Sequence, residues 1–167
     1  MTSRLPYLLA TLAIIVFDQF TKVIVDRRME LHESRPIVEG LLSLTYVRNR
    51  GGAFGMFSDA DMPYQAVVFS LVSLAAFGAI VAYSFKMPAA HRLPQWGLAL
   101  IMGGAIGNLI DRARLGYVID FVDAYWGRHH WPAFNVADSA ITVGVSLLAA
   151  ELAFGRDDAP RRDPADG

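Results

Sequence analysis

Five acidic residues of this 167-residue chain are of a type and placement that could do chemistry. Asp18, Asp111 and Asp138 lie inside or at the edge of apolar runs, and Asp120 and Asp123 lie in a loop between two such runs. A carboxylate at bilayer depth costs about 3 kcal/mol on insertion scales, so each position needs a reason. When two Asp share a site, like-charge repulsion raises one pKa and the pair holds a single proton. One member can then take a proton from water while the other donates to a carbonyl oxygen or a leaving nitrogen. Asp120 and Asp138 are the pair best placed for that hydrolysis: one in the loop, the other opening the run "FNVADSAITVGVSLLAAELAF".

Each residue also has a purely structural reading. Asp138 can be a first-turn acid complementing a helix dipole, with Asn135 capping the same helix. Asp18 and Lys22, four residues apart, can form a self-neutralising helical pair. Asp111 and Arg112 can mark a helix end at the headgroups, Asp120 and Asp123 can be ordinary loop acids, and Gly51 and Gly52 can be a turn. A Ser-His-Asp arrangement from Ser139, His129 and His130 lacks the Gly-x-Ser-x-Gly elbow. A metal site from His129, His130 and Asp120 lacks the spacing of a helical zinc motif. With no cysteine, thiol catalysis and disulfides are excluded.

The elements that must position these residues are membrane-spanning helices. Hydrophobic residues make up 54% of the chain, charged residues only 19%, and the mean hydropathy is +0.34. The net charge of -1 gives no electrostatic ground for nucleic-acid binding. A bilayer core takes roughly 20 apolar residues of helix. Four such runs are expected to be helical, at about residues 5–25, 64–85, 94–112 and 136–154. They would form one integral-membrane domain over 1–155, with long connecting segments at 26–63 and 113–135. "LLSLTYV" in the first of these has the β-branched and aromatic content of a strand, and Tyr125, Trp126 and Trp131 in the second are typical interfacial aromatics. The tail 156–167 is expected to be disordered.

Successive helices alternate in direction. Asp18 and Lys22 near the end of the first, Asn108, Asp111 and Arg112 at the end of the third, and Asp138 at the start of the fourth therefore fall on one side of the membrane. Asn49 and Asp120 of the long connections join them. The distribution of Arg and Lys does not decide which side that is. From the residues alone, a hydrolase, a small transporter using Asp18, Lys22 and Asp111, and a structural assembly factor all remain open.

Five blocks in order carry a resemblance: "DQFTK" at 18–22, "NRGGAF" at 49–54, "GGAIGNLIDR" at 103–112, "VIDF" at 118–121 and "FNVADS" at 134–139. Over about residues 8–153 the chain resembles the bacterial lipoprotein signal peptidases (signal peptidase II), an intramembrane aspartic protease family. Its main departure is Gly52, where the family more often has Ala. The resemblance implies a mainly α membrane protein: four transmembrane helices with a small extracytoplasmic β-sheet and a lid-like loop. It implies Asp120 and Asp138 as the catalytic pair. Asn49, Gly51, Asn108, Asp111, Arg112 and Asn135 are implied as site-lining residues, with Asp18 and Lys22 as support from the first helix. The implied substrates are diacylglyceryl-modified prolipoproteins, cleaved just before the lipidated Cys at the outer face of the bacterial cytoplasmic membrane, with both termini cytoplasmic. No metal or other cofactor is implied; the expected partners are these substrates and membrane lipids, and a monomer is expected.

Overall fold

In the computed structural model, residues 3–50, 65–86 and 91–154 are described. Four long helices and a small sheet follow in the order α1 (Leu5–Arg28), β1 (Ser34–Val38), β2 (Leu42–Asn49), α2 (Gln65–Lys86), α3 (Arg92–Leu115), β3 (Val118–Trp126), β4 (His129–His130) and α4 (Val136–Phe154). The fold is a mainly helical membrane protein. Among the described residues α1, α3 and α4 are long and apolar enough to cross a bilayer. The 22 residues of α2 carry no charge before Lys86 and reach roughly 33 Å at 1.5 Å per residue.

The pattern of exposure is that of a protein solvated by lipid. Leu8, Leu12, Val16, Phe17 and Phe20 of α1 are more than half exposed, whereas Asp18 and Lys22 are buried. In water the opposite would hold; in hydrocarbon, apolar side chains can face the solvent and the polar ones must turn inward. Helix α3 is the hub, touching α1, α2, α4 and β3. Glycines allow the close approach. A methyl group added at Gly103 would meet Ile14 of α1, one at Gly104 would overlap the Ala137 carbonyl of α4, and Gly97 faces Gly144 backbone to backbone.

Gly104→Ala is therefore expected to push α3 from the first turn of α4. At Gly78 nothing lies within 4 Å of an added Cβ. Thermal unfolding in detergent should show Gly104→Ala destabilised by about 1–3 kcal/mol and Gly78→Ala no worse than the parent. Equal unfolding temperatures for the two would refute the close-packing account.

The sheet is antiparallel in the order β1-β2-β3-β4. β2 pairs with β3 in the register Val47↔Asp120 and Asn49↔Val118, with an irregularity between Leu44 and Val47. Alternation of side chains then sets two faces. Tyr46, Ile119 and Phe121 pack with Val25 and Met29 into an apolar cluster beneath one face, while Asn49 and Asp120 share the other as diagonal neighbours. The Tyr46 hydroxyl donates to the Asp26 carboxylate and accepts from Arg48 Nε at 2.9 Å, which ties β2 to the end of α1. Burial, with the bond to Asp26, pushes the Tyr46 phenol up to about 12, so it stays a neutral donor.

Candidate active site

Three devices bring the polar residues to one level. First, α3 ends where Gly116 adopts a left-handed conformation (φ 78°) and its N–H caps the Arg112 carbonyl at 3.1 Å. The chain turns straight into β3, and Asp111 Oδ2 accepts from the Ile119 N–H at 3.1 Å. Asp111 thus fixes the residue next to Asp120. Second, α4 opens with a reciprocal cap: Asn135 Oδ1 accepts from the Asp138 N–H at 2.9 Å, and Asp138 Oδ2 accepts from the Asn135 N–H at 3.3 Å. Third, Asp18 of α1 caps the same helix from outside, its Oδ1 accepting from the Ala137 N–H at 2.9 Å.

Lys22 holds these devices together. It is 1% exposed, and its ammonium group meets Asp18 Oδ2 at 2.8 Å, Asp111 Oδ2 at 2.9 Å and Asn108 Oδ1 at 2.9 Å. Three donors face three acceptors, as a buried ammonium requires. An ammonium can only donate, so it fixes the Asn108 amide with its oxygen toward Lys22 and its NH₂ toward Asp138. Asn108 Nδ2 donates to Asp138 Oδ1 at 2.8 Å. The same logic orients Asn135: its oxygen is engaged by the Asp138 N–H, so its NH₂ turns to Asp120 Oδ1 at 2.7 Å. Asn49 Nδ2 donates to Asp120 Oδ2 at 2.9 Å. Both carboxylates are therefore surrounded by amide donors, and Asn135 links them.

Asp120 is 2% exposed. Burial, then the neighbouring charge of Asp138, pushes its carboxyl up to about 7, against the lowering effect of the Asn49 and Asn135 hydrogen bonds and the Lys22 charge. A carboxyl poised there is protonated in part of the population at neutral pH and can serve as a proton donor. Beside Asp138 opens a largely apolar cavity of about 440 Å³, with Trp131, Phe134, Ser139, Ile141 and Val143 among its walls. It has the size of a small-molecule or acyl-chain site.

Of the residues singled out from the sequence, Asp18, Lys22, Asn49, Asn108, Asp111, Asp120, Asn135 and Asp138 form one hydrogen-bonded assembly. Half-buried Arg112 stands within electrostatic reach of Asp138, Asp120 and Asp111. Gly51 lies outside the described residues. Asp111 is no helix-end marker: it is buried, and α3 runs on to Leu115. The Ser-His alternative is not assembled, since Ser139 Oγ donates to the Asn135 carbonyl at 2.9 Å and His130 pairs with Asp123 at 3.0 Å on the exposed β4. Among the described residues, no group of three or more His, Asp or Glu could hold a metal ion.

One participant escaped the sequence reading. Gln19 Nε2 donates to Asp111 Oδ1 at 2.8 Å and the Gly107 carbonyl at 3.2 Å, locking α1 to α3. Its signal was an amide between Asp18 and Lys22 inside an apolar run.

Comparison with known proteins bears on this assembly. A family model described as signal peptidase (SPase) II matches residues 10–154. The lipoprotein signal peptidase of Geobacter sulfurreducens is 54% identical over 138 residues, covering 83% of this chain and 85% of that protein. The lipoprotein signal peptidase of Syntrophus aciditrophicus is 43% identical over 146 residues, 87% of this chain and 91% of its own. A solved bacterial membrane enzyme, determined by the in meso method at 2.3 Å resolution, superposes with a TM-score of 0.80 at 30% identity, covering 95% of this chain and 93% of that one. A membrane-embedded fold in which buried carboxylates gather where three helices and a sheet meet, together with a match over almost the whole chain, places this protein in the signal peptidase II family of peptidases.

Proposed function

We propose that the chain is an aspartic endopeptidase that removes the signal peptide from diacylglyceryl-modified prolipoproteins, cutting just before the lipidated Cys. The observation that carries this reading is the pair of carboxylates, buried Asp120 and half-buried Asp138, linked through Asn135 beside an apolar cavity that Asp138 lines. In this mechanism Asp120 acts as the proton donor of the pair and Asp138 as the base. Asp138 takes a proton from water as the water oxygen attacks the scissile carbonyl, and Asp120 donates its proton to the carbonyl oxygen. Collapse of the tetrahedral intermediate passes a proton to the leaving nitrogen of the Cys and returns the shared proton to the pair. Asn108, Asn135 and Asn49 keep both carboxylates oriented through the cycle.

The apolar cavity accommodates an acyl chain or apolar residues of the signal peptide. The hairpin Tyr125–Trp131 acts as a lid over the bond, limiting stray water. The protein works as a monomer in the bacterial cytoplasmic membrane, with both termini cytoplasmic and the carboxylates toward the outer face, where the lipidated substrate is concentrated. It uses no cofactor.

The test is cleavage by the purified protein in detergent of a diacylglyceryl-Cys prolipoprotein and of its unlipidated counterpart. The expected product begins at the lipidated Cys, and kcat/KM for the unlipidated substrate is lower by about a hundredfold or more, since lost acyl contacts of about 3 kcal/mol suffice for that. Cleavage elsewhere, or indifference to the lipid, would overturn the assignment. Trp131→Ala removes one wall of the cavity. It is expected to raise KM for the lipidated substrate several-fold with a smaller change in kcat, measurable in steady-state assays.

A further inference from the structure

At the sheet-side end of α1 lies a second, polar depression of about 450 Å³, lined by Arg27, Arg28, Met29, Glu30, Glu33 and Arg35. Its charges divide into those already committed and those still available. Arg35 Nε donates to Glu33 Oε1 at 2.6 Å, and an Arg35 Nη2–H donates to the Arg28 carbonyl at 3.1 Å. Glu33 Oε2 accepts from the Glu30 N–H at 2.9 Å. These bonds brace the turn between α1 and β1. The guanidinium groups of Arg27 and Arg28 and the carboxylate of Glu30 are left without an ion pair or side-chain hydrogen bond among the described residues. The depression therefore presents two adjacent cations with one anion beside them.

The helix below supplies the other half. Phe17, Phe20 and Ile24 lie on one face of α1 and are 56%, 61% and 44% exposed. Helical periodicity carries the same face to Arg27 and Arg28. A lipid-facing apolar strip thus ends in a charged cup at the level where a membrane-spanning helix leaves the hydrocarbon.

We infer that this cup binds a phospholipid headgroup bearing an amine, such as phosphoethanolamine, with the phosphate between Arg27 and Arg28 and the ammonium toward Glu30. The acyl chains lie along Phe20 and Ile24. Guanidinium pairs suit phosphate oxygens geometrically, and basic residues at a membrane surface contribute to such binding additively. The diacylglyceryl group of the proposed substrate carries no phosphate, so this is a separate lipid site, and the inference stands whether or not that peptidase reading does.

The experiment uses the full chain in detergent micelles doped with dioleoylphosphatidylethanolamine, dioleoylphosphatidylglycerol or dioleoylglycerol, with bound lipid counted by native mass spectrometry. The parent is expected to retain phosphatidylethanolamine over dioleoylglycerol. Arg27→Gln/Arg28→Gln, whose side chains are exposed, should weaken that retention about tenfold or more, and Arg92→Gln at the far end of the bundle should not. Glu30→Gln should lower phosphatidylethanolamine binding and leave phosphatidylglycerol binding intact. Soluble phosphoethanolamine at matched concentration should fail to displace the lipid. Unchanged retention in the double arginine variant overturns the site. Equal loss of both phospholipids in Glu30→Gln overturns the amine contact, and displacement by soluble phosphoethanolamine overturns the lipid as its source.

Discussion

Asp120→Asn and Asp138→Asn are each expected to lose about three or more orders of magnitude in kcat/KM toward a diacylglyceryl-modified prolipoprotein. Asn preserves the shape of the carboxylate and removes its titration. Each variant should elute from size exclusion and show circular dichroism as the parent does, so that the loss is chemical. Either variant retaining most of its activity would return that residue to a structural role, Asp138 to the α4 cap or Asp120 to a partner of Asn49. The pH dependence supplies a second, independent reading. Because Asp120 is held up to about 7, the acid form is lost as pH rises through that value, and kcat/KM should fall on the alkaline side with a midpoint near it. Stability has the same sign. The folded protein binds a proton that the unfolded chain, with an ordinary carboxyl near 3.8, releases earlier; stability is therefore fully present below about 4 and declines as pH rises toward about 7. Unfolding temperatures across that range should fall in the parent and fall less in Asp120→Asn.

Lys22→Met should have the largest effect on folding. Met matches the aliphatic stem, so what disappears is the ammonium. Asp18 and Asp111 are then left buried without their shared counter-ion, at a cost of about 3–5 kcal/mol. The Asn108 amide also loses the donor that fixes its orientation. Thermal unfolding in detergent should show a large drop or no folded protein. The double variant Lys22→Met/Asp18→Asn removes one of the stranded charges and should recover part of the loss. It should not recover full activity, because Asp111 stays without its counter-ion and Asn108 remains unanchored. A Lys22→Met protein as stable as the parent would mean the cluster is not the brace its distances indicate.

Much of this arrangement could be read from the chain because hydrocarbon makes polar residues conspicuous. Asp18, Lys22, Asn108, Asp111 and Asp138 stand out in apolar runs, and the alternating direction of helices sends them to one side of the membrane without any knowledge of packing. The cap reading of Asp138 leaves room for a chemical one: its Oδ2 completes the cap while its Oδ1 accepts from Asn108. Less legible were features that depend on tertiary fit. Asp111 looked like a boundary residue because sequence cannot show that Lys22 of another helix reaches it. β1 has a Pro at its centre and every residue exposed, so neither alternation nor composition marks it as a strand. The pairing of Asn49 with Asp120 rests on a register shift between Leu44 and Val47 that no local propensity encodes.

The bond between Asp18 and Ala137 has one more consequence. It sets the start of α4 level with Asp18, yet α1 continues ten residues further to Arg28, a climb of roughly 15 Å at 1.5 Å per residue. The two helices therefore do not finish at a common height, and Asp138, at the start of α4, sits at the bottom of a step cut into the bundle. A peptide bond floating at the membrane surface is too high to reach it. For the proposed substrate, the bond just before a Cys that carries an embedded pair of acyl chains would be pulled down to the same depth. Under the proposed function, selection would be by altitude: the lipid would act as a plumb line that lowers one peptide bond, and few others, to the level of the carboxylates.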